Sequence, residues 1–514
     1  MSRARLSQRA RERLELSALL VAGLLFHSFA LLRFPPPFVD EPWFASRAWA
    51  LIQIGRPVGS LDSGVVERFS GYWTAFPFFL PWVQSLAMRA LGLSLFSTRV
   101  TSLVFGLFLL VAVYVIANRL YGHRTALLSA LLVSVSQSFL ASSHLGRPDV
   151  IVSALGWTAI ALYLVDASAG FSLKAVCSGL LIVLAFDAHM NAVLYGFVIG
   201  VLYLVDLRLA VVRSRRFWSF AVGVAVGLGV YAWIHILPYP ETYYALTSPS
   251  ITGWRPPPLL TMDAGVWLSS AVDTIFLLVW SNGPDAVIVV GTAFALLRRR
   301  TASDRRLLAI FAVLFVVMTL LIRYKLQFYG IIISPAVDIM VAFLLVRMAS
   351  RTWDGSIRAF LGSALVVGLV VASVFVNLRS VVYDPMPDYT ATLDAIRQVV
   401  PAGAIVLGTQ TYWYGLPDHR YLSPETLTGY QQFTPGASLA DALSALRPDF
   451  LILDHHSDQF TAYSREDLPE YFRFVYLDKT ELDSFLAKRG SLATAIYTPT
   501  FGDVRVYKID WTTP

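Results

Sequence analysis

Stretches of about 20 predominantly apolar residues recur along this chain as far as about residue 378, and nothing else in it limits the fold so strongly. Each is long enough to cross a bilayer as a helix. The composition agrees: the 514 residues are 56% hydrophobic and 15% charged, with a mean hydropathy of +0.60. Soluble domains carry about 25% charged residues. The net charge of +7 fits arginines on cytoplasmic loops better than a nucleic-acid partner. The single cysteine, Cys177, excludes an internal disulfide and a cysteine metal cluster.

The N-terminus, MSRARLSQRARER, places five arginines before an apolar run from about Leu16 to Leu32. That run is too long for the apolar core of a signal sequence and lacks a small-residue cleavage site, so it reads as a retained first span with a cytoplasmic N-terminus. An outer loop follows, about 34–96, with two helical stretches. EPWFASRAWALIQIG puts Phe44, Ala48, Leu51 and Ile52 on one face, with Arg47 and Gln53 elsewhere, and reads as a helix lying on the membrane. WTAFPFFLPWVQSLAMRALG contains Pro77, Pro81 and Arg89 and is also taken as interfacial. Spans are then expected at about 97–118, 125–143, 150–167, 171–186, 191–207, 217–236, once within 264–297, and at 307–322, 330–346 and 359–378. This tracing gives about eleven spans and makes every dense arginine cluster cytoplasmic.

From about Tyr383 the pattern changes. Short β-like runs, AIVLG (404–408), FLILD (450–454), FVYLD (474–478) and VRVYKI (504–509), alternate with helical stretches such as YTATLDAIRQVV and SLADALSALR. The expectation is a mainly α, polytopic membrane domain over 1–382 and a small extracytoplasmic α/β domain over 383–514.

The tracing gathers unusual polar residues on one side. Asp40 and Glu41 lie in the first outer loop. His144 and Arg147-Pro148-Asp149 occupy the next outer turn, then Asp187, His189 and Asn191, then Arg323, Tyr324, Lys325 and Tyr329. Ionisable groups at membrane depth are costly and mark functional sites. Each also has a plainer reading. Asp40 can cap the interfacial helix, with Pro42 in its first turn. Arg147 and Asp149 can pair locally, His189 can be a satisfied helix-end histidine, and Arg323 and Lys325 can snorkel to headgroups. In the C-terminal part, Asp454-His455-His456-Ser457-Asp458 reads as a loop after a strand rather than a metal site, because adjacent ligands converge poorly on one ion. No GxxxxGK[ST] loop, GxGxxG turn or GxSxG elbow occurs, so nothing here cradles a soluble nucleotide.

The acidic pair, the stretch FSTRVTSLVFGLFLLVAVYVIANRLYGHRTALLSALLVSVSQSFLASSHLGRPDV and the later RYKLQFYGIIISPA together resemble the polytopic GT-C glycosyltransferases, over roughly residues 15 to 350. The subgroup is that of the protein O-mannosyltransferases and lipid A aminoarabinose transferases. The resemblance implies a plasma-membrane enzyme of a bacterium or archaeon. It would move a sugar from a polyprenyl-phosphate carrier to a protein, lipid or glycan acceptor on the extracytoplasmic face, with inversion. It implies Asp40 as the catalytic carboxylate and Asp149 as a second acid, with Glu41 orienting the acceptor. Lys325, Arg323, Arg147 and Tyr324 become candidates for the carrier phosphate, and His189 and Tyr329 for the donor or acceptor site. Whether Asp40 and Glu41 hold a divalent metal ion is left open by the resemblance. The rival readings are a flippase of lipid-linked sugars, which midplane charges in broken spans would mark, and a non-catalytic envelope scaffold.

Overall fold

The computed structural model describes residues 3–59, 61, 77–168, 170–247, 257–261, 263–282, 301–352 and 385–512, with scattered helical positions between 360 and 382. Backbone groups in lipid have no water to bond, and helices satisfy them internally. The apolar runs are accordingly helices: α1 (Arg3–Ala30), α4 (Leu95–Tyr121), α7 (Asp149–Val165), α8 (Leu173–Ala188), α9 (Val193–Leu207) and α10 (Arg215–Tyr231). Among the described residues, six helices are long and apolar enough to cross a membrane, or seven if a bent pair is one span. The chain is an integral membrane protein.

That bent pair is α5 (His123–Val135) and α6 (Gln137–Ser143), which meet at 63°. The sequence suggests one continuous span over 125–143. Ser136 breaks it: its backbone is extended, and its Oγ accepts the amide of Phe139, so it caps the second half.

The two stretches between the first and second expected spans that were read as helical both form helices: α2 (Asp40–Ile54) and α3 (Phe79–Leu91). At 13 residues, α3 is too short to cross. The later loop carries α11 (Pro240–Thr247). Three further helices follow: α12 (Ala264–Asn282), α13 (Ala302–Leu321) and α14 (Gly330–Thr352). The expected turn at Arg298–Arg300 and residues 62–76 lie outside the described residues, as does most of the expected last span, about 359–378.

The chain divides into two compact units. The first comprises 1–35, 99–234 and 255–383. In it α14 is almost wholly buried. Around Pro335, which cannot donate to the helix ladder, the Ile332 carbonyl accepts from Trp157 Nε1 at 3.1 Å, and Ser334 Oγ lies 2.9 Å from Ser138 Oγ.

The second unit comprises 36–98, 235–254 and 384–514. The segment that carries α2 and α3 therefore packs with the C-terminal α/β segment. Leu61 accepts through its carbonyl from the Ser423 amide at 3.1 Å and from Thr426 Oγ1 at 2.9 Å. Tyr414 donates to Thr98 Oγ1 at 2.9 Å. The α/β part opens with helix α15 (Met386–Val399) and contains strands β1 (Ile405–Gly408), β2 (Arg420–Leu422) and β3 (Phe450–Leu453), a short pair β4 (Thr461–Ala462) and β5 (Leu477–Asp478), and the hairpin β6 (Gly490–Thr498) and β7 (Gly502–Ile509). The main sheet has the order β2-β1-β3-β7-β6; the first three strands are parallel and β7 runs antiparallel to both of its neighbours.

One strand differs from expectation. Only the last two residues of FVYLD are extended; Glu470–Val475 is a 3-10 turn following Pro469. Strand β6 was not expected at all, because its outward side chains leave it mostly exposed, without a buried apolar run.

Candidate active site

Asp40 is the first residue of α2, and Val39 stands at the N-cap position with no side-chain cap bond. Asp40 is therefore not the cap, contrary to the plainer sequence reading. Its neighbour does related work: Glu41 is fully buried, and its Oε2 accepts the Phe38 amide at 2.9 Å, tying down the chain just before the helix. Asp40 is left half-buried at the head of the helix, where orphan amides and the helix dipole favour a negative charge. The expected polar placement of Arg47 is also corrected. It is fully buried, with its guanidinium 4.1 Å from the centre of the Trp43 ring, a cation–π contact that offsets part of its desolvation.

In the other unit, the turn before α7 carries a buried ion pair. Arg147 Nε donates to Asp149 Oδ2 at 2.9 Å, and the two side chains are 4% and 1% exposed. The Arg147 guanidinium lies 4.5 Å from the centre of the Phe328 ring. The Phe328 carbonyl is held by Ser142 Oγ at 3.0 Å. His189, in the turn after α8, accepts the Asn191 amide at Nδ1 and has its ring 5.9 Å from that of Tyr329. Burial pushes the His189 pKa down to about 4, against the pull of the Asp149 carboxylate and with the repulsion of Arg147. Its imidazole is thus neutral at physiological pH. Arg147, Asp149, His189 and Tyr329, which come from three turns far apart in sequence, are brought together.

Lys325 lies in the loop that carries Phe328 and Tyr329. Its Nζ donates to Ser270 Oγ at 2.5 Å and to the Ile322 carbonyl at 2.7 Å. Burial lowers its pKa to about 8, with Asp273 opposing the shift. Arg323 and Tyr324 are half-buried in the same loop. The loop thus delivers a weakened cation beside two aromatics.

Sequence reasoning missed His27. It lies within α1, and its Nδ1 is 3.0 Å from His144 Nε2; His144 Nδ1 in turn meets the Phe34 carbonyl at 2.9 Å. An isolated histidine in an apolar run gives no signal of its partner. The Asp454 loop is a hydrogen-bonded hub: Asp454 accepts from Thr409 Oγ1 at 2.8 Å, Tyr412 OH at 2.7 Å and the Ser457 amide at 2.9 Å. Among the described residues no group of three or more His, Cys, Asp or Glu side chains is placed to hold a metal ion. Asp40 and Glu41 alone make an incomplete ligand set, with one Glu41 oxygen already committed to a backbone amide.

The family profile described as dolichyl-phosphate-mannose-protein mannosyltransferase matches residues 76–235, which include Arg147, Asp149 and His189. No curated protein sequence matches the chain. Among solved structures, ArnT from Cupriavidus metallidurans in the apo state superposes with a TM-score of 0.64 at 15% identity, over 96% of this chain and 97% of that one. The same protein bound to undecaprenyl phosphate gives a TM-score of 0.64 at 14% identity, over 95% and 97%. The Archaeoglobus fulgidus oligosaccharyltransferase in complex with Zn and sulfate gives 0.56 at 14% identity, over 96% of this chain and 74% of that one. A regional family match and a shared fold agree with the residue-level resemblance: residues 76–235 match the mannosyltransferase profile, and along nearly its whole length the chain has the fold of ArnT.

Proposed function

We propose that the protein is a membrane glycosyltransferase that moves a sugar from a polyprenyl-phosphate carrier to an acceptor hydroxyl on the extracytoplasmic face. The observation that carries this reading is the likeness, over 95% of the chain, to a protein crystallised with undecaprenyl phosphate. The cationic and aromatic loop 322–329 and the Arg147–Asp149–His189 cluster support it, since they give a lipid phosphate chemically suitable neighbours.

In this reading Asp40 accepts the acceptor's hydroxyl proton as the oxygen attacks the anomeric carbon. The bond from that carbon to the carrier phosphate oxygen breaks on the opposite side, which inverts the centre, and the carrier leaves as polyprenyl phosphate. Lys325 and Arg323 offset the charge that develops on the leaving phosphate, with Tyr324 donating to it. The Arg147 charge is shared with Asp149, so Arg147 orients that second acid and adds a weaker field at the phosphate. His189 and Tyr329 flank the donor, and Glu41 fixes the chain that carries Asp40.

The test is to incubate purified protein in proteoliposomes with a panel of polyprenyl-phosphate sugars and candidate acceptors. Release of free polyprenyl phosphate together with a covalent glycosylated product is expected for at least one pair. Movement of the lipid-linked sugar between leaflets with no covalent product would instead establish the flippase reading.

A further inference from the structure

A groove of about 660 Å³ runs along α8, α9 and α10, lined without a single polar or charged side chain. Phe186 and Val193 lie at one end, Gly196 and Gly200 in the middle, and Val211 and Phe217 at the other. The Val211 end is the one that carries positive charge. Val211 belongs to the short 3-10 helix Arg208–Arg213, and Phe217 to the first turn of α10. Arg208, Arg213 and Arg215 bracket these two residues in sequence, and all three are exposed.

Two other arginines at this end are already paired. Arg216 bonds Asp166 at 3.0 Å, and Arg306 bonds Asp206 at 3.0 Å. The acids nearest in sequence are thereby spent, Asp206 also accepting from Tyr163 OH at 2.8 Å. Arg208, Arg213 and Arg215 have no ion pair among the described residues. Beside them Leu209, Val212 and Trp218 are 89%, 62% and 56% exposed. Exposed apolar side chains interleaved with unpaired arginines suit the boundary between headgroups and acyl chains.

The geometry points to a binding site for an anionic phospholipid, with its phosphate among Arg208, Arg213 and Arg215 and one acyl chain in the groove. A purely apolar furrow would accept any lipid tail; the uncompensated positive charge at one mouth selects an anionic head. The polyprenyl carrier of the proposed reaction is a different occupant. Its phosphate belongs with Lys325 and Arg323, and this site does not depend on the transfer reaction.

The test uses the full-length protein, equilibrated with equal mole fractions of phosphatidylglycerol and phosphatidylcholine and read by native mass spectrometry. Retained phosphatidylglycerol is expected to exceed phosphatidylcholine by about 10- to 100-fold, from three cations acting near a lipid surface. Arg208→Gln/Arg213→Gln/Arg215→Gln is expected to bring the ratio close to one, and the corresponding triple Lys variant to preserve it. Gly200→Phe provides an independent arm. A Cβ at Gly200 meets nothing within 4 Å, so the added ring enters the groove without disturbing the backbone and is expected to lower retention of both lipids. Equal retention of the two lipids by the wild type would overturn the proposal. So would unchanged retention in Gly200→Phe, or stoichiometric displacement of phosphatidylglycerol by added polyprenyl phosphate.

Discussion

Arg147 and Asp149 show how local chemistry and cost combine at single residues. The pair is almost fully buried at 2.9 Å. Removing one partner strands a charge, and such losses cost about 3–5 kcal/mol. Asp149→Asn is therefore expected to lower the thermal unfolding temperature in detergent as well as activity, whereas a purely catalytic acid would leave the melting curve in place. Lys325 gives a pH signature. Burial lowers its pKa to about 8, so it is cationic below that pH and neutral above it. If it attracts the carrier phosphate, KM for the donor rises as pH passes through about 8. Lys325→Arg, which stays charged, flattens that rise; an unchanged profile in this variant would remove Lys325 from the phosphate site. The identity of these residues was legible in the sequence as charges set at span ends. Their partners were not: the stacking of Arg147 on Phe328 and of Tyr329 near His189 depends on which turns meet, and periodicity carries no such information.

At the scale of elements, α8 and α10 pack through glycines. A Cβ on Gly223 would lie 2.1 Å from the Val176 carbonyl oxygen, and one on Gly179 would lie 2.4 Å from that of Phe220. Backbones this close gain van der Waals contact that larger residues prevent. Gly223→Leu is expected to force the helices apart and destabilise the protein by about 1–3 kcal/mol, read as a lower unfolding temperature; a stability equal to wild type would show that the two helices do not pack this closely. The spans themselves were legible because apolar runs of this length have few other uses. The bend at Ser136 was not, since a serine is as ordinary inside an apolar helix as it is at a cap. The part Glu41 plays at the start of α2 was not legible for a related reason: adjacent acids at a helix start look interchangeable, and only packing sends Glu41 inward to the Phe38 amide.

For the whole molecule, the α/β segment is more than an appendage. The loop that bears Asp40 belongs to the same compact unit, with α2 packed on the 3-10 turn Gln410–Gly415 and Leu61 bonded to Ser423 and Thr426. Deleting residues 385–514 is accordingly expected to abolish transfer while the spans still insert, as judged by membrane fractionation and activity; a truncated protein with full activity would show that this packing is dispensable. The change to α/β composition near Tyr383 was visible in the sequence. The return of a loop more than 300 residues upstream to that unit was not, because the bonds that hold it use backbone carbonyls and hydroxyls found anywhere in the chain.

The central claim is that Asp40 performs the proton transfer in a sugar-transfer reaction. The most direct test compares wild type with Asp40→Asn in single-turnover release of polyprenyl phosphate from the active donor, alongside donor binding and folding. Donor binding and the melting curve are expected to persist in the variant while release slows by about 10²–10⁴-fold, the usual worth of a positioned general base. Release at the wild-type rate from a correctly folded Asp40→Asn protein would contradict it.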